Sequence, residues 1–354
     1  SSIGATMSAG WWRAGRILSG GRVATLSVAG VGGLGVSFSG KEFQPEDSGI
    51  SCGAQQFFGR GRRFTAACES LLGHVGVRCS PVVCEESGRF RYGSVKLRDG
   101  RLLAYHEEGS GTAVFAFHGM GSSRLTWSGS KPVDSICPGI RLIAVDRPGY
   151  GGSSPPPYGY SYSAFARDLA ELADALGLPR FCVAGHSSGG PYALAAAAEL
   201  PSRVAAAAAI SSDAPYAHPH APDALRDADS FAEPATASAI GLYGREPSAL
   251  AGDMRASALK KADPVKVHAW KQGTDGWVCD FILERIPYSF ALESITLGPR
   301  LTVWVGGEDI EAIAVGAPFL HSLIPGSQLR VVPGGDHGFK SNPEHLASIL
   351  SELK

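Results

Sequence analysis

A serine hydroxyl attacks acyl carbon at neutral pH only beside a histidine that can take its proton, with a third group fixing that histidine's tautomer. Two serines stand in G-x-S-x-G spacing, in Gly185-His186-Ser187-Ser188-Gly189 and in Gly49-Ile50-Ser51-Cys52-Gly53, and ten histidines compete for the role of base. With so many glycines in the chain, roughly one such string is expected by accident, so the spacing alone decides nothing. The elements on either side must decide.

Before Ser187 stands FCVA, a short apolar run that reads as a buried strand; after it comes PYALAAAAEL, an alanine-rich helix. Before Ser51 stands FQPEDSG, which is turn material. Only Ser187 therefore sits on a strand-to-helix turn, where small flanking residues permit a strained nucleophile and the helix start presents free N–H groups to developing negative charge. The surrounding pattern agrees. From residue 89, RYGSVKLRDGRLLAYHEEG alternates polar and apolar residues about Asp99-Gly100, a hairpin signal. Strands are expected over Val114–Phe117, Leu142–Val145, Phe181–Ala184, Ala205–Ile210, Leu301–Val305 and Leu329–Val332, and helices over Ala164–Leu176, Pro191–Glu199 and Pro343–Leu353. That alternation predicts an α/β fold, a mostly parallel sheet with helices on both faces, whose ligands bind at the carboxyl ends of the strands.

GHSSGGPYALA, with DRPGYGGSSP at 146–155 and FHGMGSS at 117–123, resembles the α/β-hydrolase superfamily, over roughly residues 90–354 and in the family's order. The resemblance implies an oxyanion hole from the backbone N–H groups of Met120 and Ser188, with His118 structuring its own turn. It also implies the chain order Ser, then Asp or Glu, then His. His337, in VVPGGDHGF between the last expected strand and the final helix, takes the family's histidine position. His218, His220, His268 and His321 have no strand leading into them. Asp309 in LTVWVGGED, with Gly306, matches the family's Gly-x-x-Asp, with Glu308 and Asp213 as rivals; Asp336 is poorly placed to reach the far nitrogen of His337. Asp146, ahead of Arg147-Pro148-Gly149, reads as a turn-structuring carboxylate.

Composition divides the chain near residue 88 into an N-terminal extension, 1–87, and a catalytic domain, 88–354. The extension begins with Arg13, Arg16 and Arg22 and has no acidic residue before Glu42, the bias of an organelle-targeting segment, with a mitochondrial address as the expectation and a cytoplasmic one as the alternative. Residues 23–40 are uncharged and read either as a membrane helix or as a flexible Gly-rich tail. Cys52, Cys68, Cys79 and Cys84 could hold a disulfide or a metal, but their spacings fit no metal motif and they read instead as unpaired buried thiols. Residues 214–298 form too long a connection for a bare loop and should make a helical lid, with Tyr243, Trp270, Trp277, Phe281, Tyr288 and Phe290 lining an acyl or aryl pocket or packing in its core. A net charge of -1 argues against nucleic acid as partner, and the chemistry calls for no metal or cofactor. The expected function is a serine hydrolase acting on a small acyl substrate. Its alternative is a hydrolase-fold accessory subunit attached through residues 1–87 to a mitochondrial membrane complex. A serine at the turn argues against haloalkane dehalogenase and epoxide hydrolase chemistry, for which the family uses aspartate.

Overall fold

The computed structural model describes residues 14–19, 22–29, 33–38, 82–225 and 247–354. Ser51, Cys52, Cys68, Cys79 and Tyr243 lie outside these residues. The chain divides into two compact units, residues 1–64 and 65–354.

In the first unit, β1 (Ala14–Ser19), β2 (Arg22–Ala29) and β3 (Gly33–Phe38) form an antiparallel sheet in that order. The uncharged stretch 23–40, expected as a membrane helix or a tail, thus contains two strands. Its pattern explains why: Leu34, Val36 and Phe38 alternate with Gly33, Gly35 and Ser37, a period of two that suits a pleated strand and not a helix. Among the described residues no helix is long and apolar enough to cross a membrane.

The second unit is built on a nine-stranded sheet. Its strands are β4 (Val82–Ser87), β5 (Phe90–Lys96), β6 (Leu102–Gly109), β7 (Thr112–Phe117), β8 (Ile140–Val145), β9 (Phe181–His186), β10 (Val204–Ile210), β11 (Leu301–Gly306) and β12 (Gln328–Val332), in the order β12-β11-β10-β9-β7-β8-β6-β5-β4. The pairs from β8 through β12 are parallel and those among β8, β6, β5 and β4 antiparallel. Every strand expected from the sequence is present, its ends shifted by about two residues or fewer. The sheet begins earlier than the composition change at 88, because β4 pairs with β5 across a turn at Gly88, whose φ is +60°. Asp99 and Gly100 sit in a five-residue loop, closed by Leu97 N–H donating to Arg101 C=O at 2.8 Å, instead of a two-residue turn.

Alternation along the strands separates two cores. Phe115, Phe117, Ile143, Val145, Val183 and Val303 face α2 (Tyr162–Ala175), α3 (Gly190–Glu199) and α7 (Glu311–Leu323); Val114, Ala116, Leu142, Ala144 and Ala184 face α1 (Val133–Ile136) and α8 (Pro343–Ser351). A sheet buried on both faces is what the near-continuous apolar strands require. Between β10 and β11 lie α4 (Pro247–Lys260), α5 (Pro264–Ala269) and α6 (Asp275–Leu283), the described part of the expected helical connection. Ala251, Ala269, Trp270, Trp277 and Phe281 form a separate small core there with Tyr150, and Tyr288 and Phe290 pack against the first core, so five of the aromatic residues named above are packing residues. Cys137, Cys182 and Cys279 are free thiols among the described residues.

Candidate active site

β9 ends at His186 and α3 begins at Gly190, and the turn between them holds Ser187 at a φ of +55°. An L-residue adopts that left-handed conformation only when its surroundings over-determine it. Here they do so through close backbone approach: a Cβ on Gly185 would run into the carbonyl of Gly189, and one on Gly189 would run into the carbonyls of Phe117 and His118. That packing holds Ser187 in the strained conformation.

Two loops at the carboxyl ends of neighbouring strands bring partners to it. His337, in the loop after β12, has Nε2 at 3.1 Å from Ser187 Oγ and Nδ1 at 2.8 Å from Asp309 Oδ1. Asp309, in the loop after β11, has a fully buried side chain; its other oxygen accepts the Ser211 hydroxyl at 2.6 Å, and Ile310 N–H donates to Oδ1 at 2.9 Å. Ser211 itself has a φ of +43°, a second strained residue at the end of a strand. The His337 carbonyl is fixed by His186 Nε2 at 2.8 Å. Burial alone would lower His337, but the hydrogen bond to Asp309 and the charges of Asp309, Asp213 and Asp336 outweigh it and raise its pKa above the ordinary histidine value. For Asp309 burial acts upward, and the bonds from His337 and Ser211 reverse it, leaving the carboxyl below its usual range. Ser187, His337 and Asp309 are therefore brought together. Glu308 and Asp336 are exposed, and Asp336 accepts from Gly338 N–H at 2.8 Å.

His118 is fully buried, its Nε2 accepting Arg147 N–H at 3.1 Å and its Nδ1 lying 2.8 Å from the Gly119 carbonyl. Burial pushes it well below the ordinary value, so it is a neutral ring that structures its turn. Gly119 lies against the serine: a Cβ there would stand 2.9 Å from Ser187 Cβ. Met120 follows, packed against the small aromatic core.

A family model for the alpha/beta hydrolase fold matches residues 112–240. The non-heme chloroperoxidase of Streptomyces lividans is 28% identical over 277 residues, 73% of this chain and all of that protein. The bifunctional epoxide hydrolase 2 of Sus scrofa is 35% identical over 133 residues, 37% of this chain; the chain spans only 24% of that protein's length. An esterase from Exiguobacterium antarcticum superposes with a TM-score of 0.58 at 21% identity, over 73% of this chain and 97% of that one. This chain has the α/β-hydrolase fold. At such identities the superposition speaks for the fold alone.

Beyond the residues read from its sequence, the chain has three further polar clusters. Asp146 is buried and accepts Arg124 N–H at 2.9 Å and Gly152 N–H at 2.8 Å, with Arg124 Nη1 at 3.1 Å and His268 Nε2 at 2.9 Å; burial works against its charge, but His268 and Arg124 hold it at about 2. The expected turn-structuring role is met, and it extends to α5. Asp213 and Glu284, both buried, share the Ser188 side chain; Tyr216 donates its hydroxyl to Asp213 at 2.7 Å. Burial raises both carboxyls, and Asp213's charge raises Glu284 further. Lys340, three residues past His337, is buried with Nζ 4.5 Å above the Trp127 ring and donating to the Thr126 carbonyl at 3.2 Å; burial brings it down to about 8. Ser211, Glu284 and Lys340 carried no signal in the sequence, because each acts through contacts between distant segments.

Proposed function

We propose that this chain, with its α/β-hydrolase fold, is a serine hydrolase that cleaves a carboxylic ester, or a related acyl bond, through an acyl-enzyme. The observation that carries the reading is the position of His337, with one ring nitrogen 3.1 Å from Ser187 Oγ and the other 2.8 Å from the buried Asp309 carboxylate. With Asp309 ionised, Nδ1 keeps its hydrogen and Nε2 is left to accept. His337 then takes the Ser187 proton as Oγ bonds to the acyl carbon, and Asp309 stabilises the imidazolium that forms. The oxyanion falls to the N–H groups of Met120 and Ser188, one on the turn against the serine and one at the start of the helical turn behind it. His337 returns the proton to the leaving alkoxide; water, activated by the same ring, releases the acid and restores Ser187. A serine at the elbow supports acyl transfer over epoxide opening, which is the activity named for one partial relative.

Fluorophosphonate labelling of the purified chain tests this directly, together with hydrolysis of a short p-nitrophenyl ester. Ser187→Ala and His337→Ala should each lower kcat/KM by about three powers of ten or more while leaving the circular dichroism spectrum unchanged. An unlabelled wild-type chain, or a Ser187→Ala variant that still turns over, would overturn the reading and favour a hydrolase fold kept for packing.

A further inference from the structure

The turn His118–Gly121 carries one proposed oxyanion donor, and its two peptide planes on either side of Met120 are held separately. The Gly119 carbonyl, in the plane that contains Met120 N–H, is bonded by His118 Nδ1 at 2.8 Å and by Ser122 N–H at 3.2 Å. Gly121 N–H, in the next plane, donates to the Tyr150 hydroxyl oxygen at 3.2 Å. The Gly121 carbonyl beyond it accepts Lys266 Nζ from α5 at 3.1 Å. Two of these holders are oriented by another group: the His118 ring accepts Arg147 N–H at 3.1 Å, and Tyr150 gives its own proton to Asp280 Oδ2 at 2.6 Å.

Both routes converge on α6. Asp280 is buried, pairs with the Arg147 guanidinium, and also accepts the Tyr192 hydroxyl at 2.8 Å from α3, the helix that follows the serine turn. One carboxylate of the lid thus touches the segments behind both proposed donors. We propose that Tyr150 and Asp280 are positioning residues for the oxyanion site, so that the lid helix α6 is part of its scaffold and does more than cover it. This rests on the serine-hydrolase reading above. A hydroxyl that receives one hydrogen bond and gives another fixes the amide plane it receives from, and preorganised N–H groups stabilise a transition state only when they do not have to reorient.

Tyr150→Phe in the full chain removes the hydroxyl and leaves the ring, which packs edge-on against His118 at 4.9 Å and beneath Arg147 at 5.2 Å. We expect kcat for a p-nitrophenyl ester to fall by about ten- to a hundredfold with KM nearly unchanged, and a trifluoromethyl ketone mimicking the tetrahedral intermediate to lose affinity by the same factor. A purely structural role would lower the melting temperature without that parallel. If Tyr150→Phe does not fold, Lys266→Met, which releases the same turn from α5, should give the same split. An active wild-type enzyme whose folded Tyr150→Phe variant keeps its kcat, or loses kcat while the ketone binds as before, overturns this assignment and leaves the serine-hydrolase reading standing. A wild-type chain that neither labels nor hydrolyses ester overturns both.

Discussion

His337 has to be neutral to accept a proton from Ser187, and its neighbours act against that state. The Asp309 bond and the three nearby carboxylates raise its pKa above the usual 6.5 in spite of burial, so the productive form is lost as pH falls through a value above 6.5. We expect an acid limb in kcat/KM with an apparent pKa above 6.5, visible in a pH–rate profile on a p-nitrophenyl ester. Asp309→Asn, which removes the largest favourable contribution, should move that limb to lower pH and reduce the rate on the plateau; a limb that stays in place would show that Asp309 does not set it. At this scale the sequence was informative about residues placed at element ends. Ser187, Asp309 and His337 were legible because each follows a strand by a fixed few residues. Asp280 and Tyr150 were not, since their partners stand 130 residues apart in the chain.

Among the elements, the strand-to-helix turn depends on backbone clearance. A methyl group on Gly185 would meet the Gly189 carbonyl and Gly190 Cα, neither of which can swing aside. Gly185→Ala should therefore cost roughly 3 kcal/mol and abolish fluorophosphonate labelling. Gly252, on α4, has open space around it, so Gly252→Ala should raise stability by about 1 kcal/mol in urea unfolding and leave labelling intact. Equal effects of the two changes would remove the steric argument. The central strands could be read from apolar runs because their burial on both faces leaves no polar register to confuse. α7 was missed: EAIAVGAPFLHSL carries Gly316 and Pro318 inside the helix, and Gly316 is there because a Cβ would approach Ala214 Cβ to 2.9 Å. Its reason is tertiary, and a local reading sees only a helix breaker.

For the whole molecule, the boundary at 88 gives way to one that spares β4. Deleting residues 1–64 should leave ester hydrolysis within about twofold, whereas deleting 1–87 also removes a strand paired along β5 and should lower the melting temperature. We also propose mitochondrial attachment through the extension, and carbonate extraction of the two forms from mitochondria tests it: equal solubility of full-length and 65–354 protein would end it. A different consequence attaches to Lys340. The unfolded chain keeps a proton on this lysine up to about pH 10.5, while the folded protein releases it at about 8. Between those limits unfolding takes up a proton, so alkali favours the native state, by up to roughly 3 kcal/mol at the top of the window. Urea midpoints measured from pH 7 to 10.5 should therefore gain on those of Lys340→Met as the pH rises, and a constant gap between the two would mean that the buried ammonium keeps its proton. The ring of Trp127 beneath it should report the same event, as a change in fluorescence centred near pH 8 in the folded protein and absent from the methionine variant.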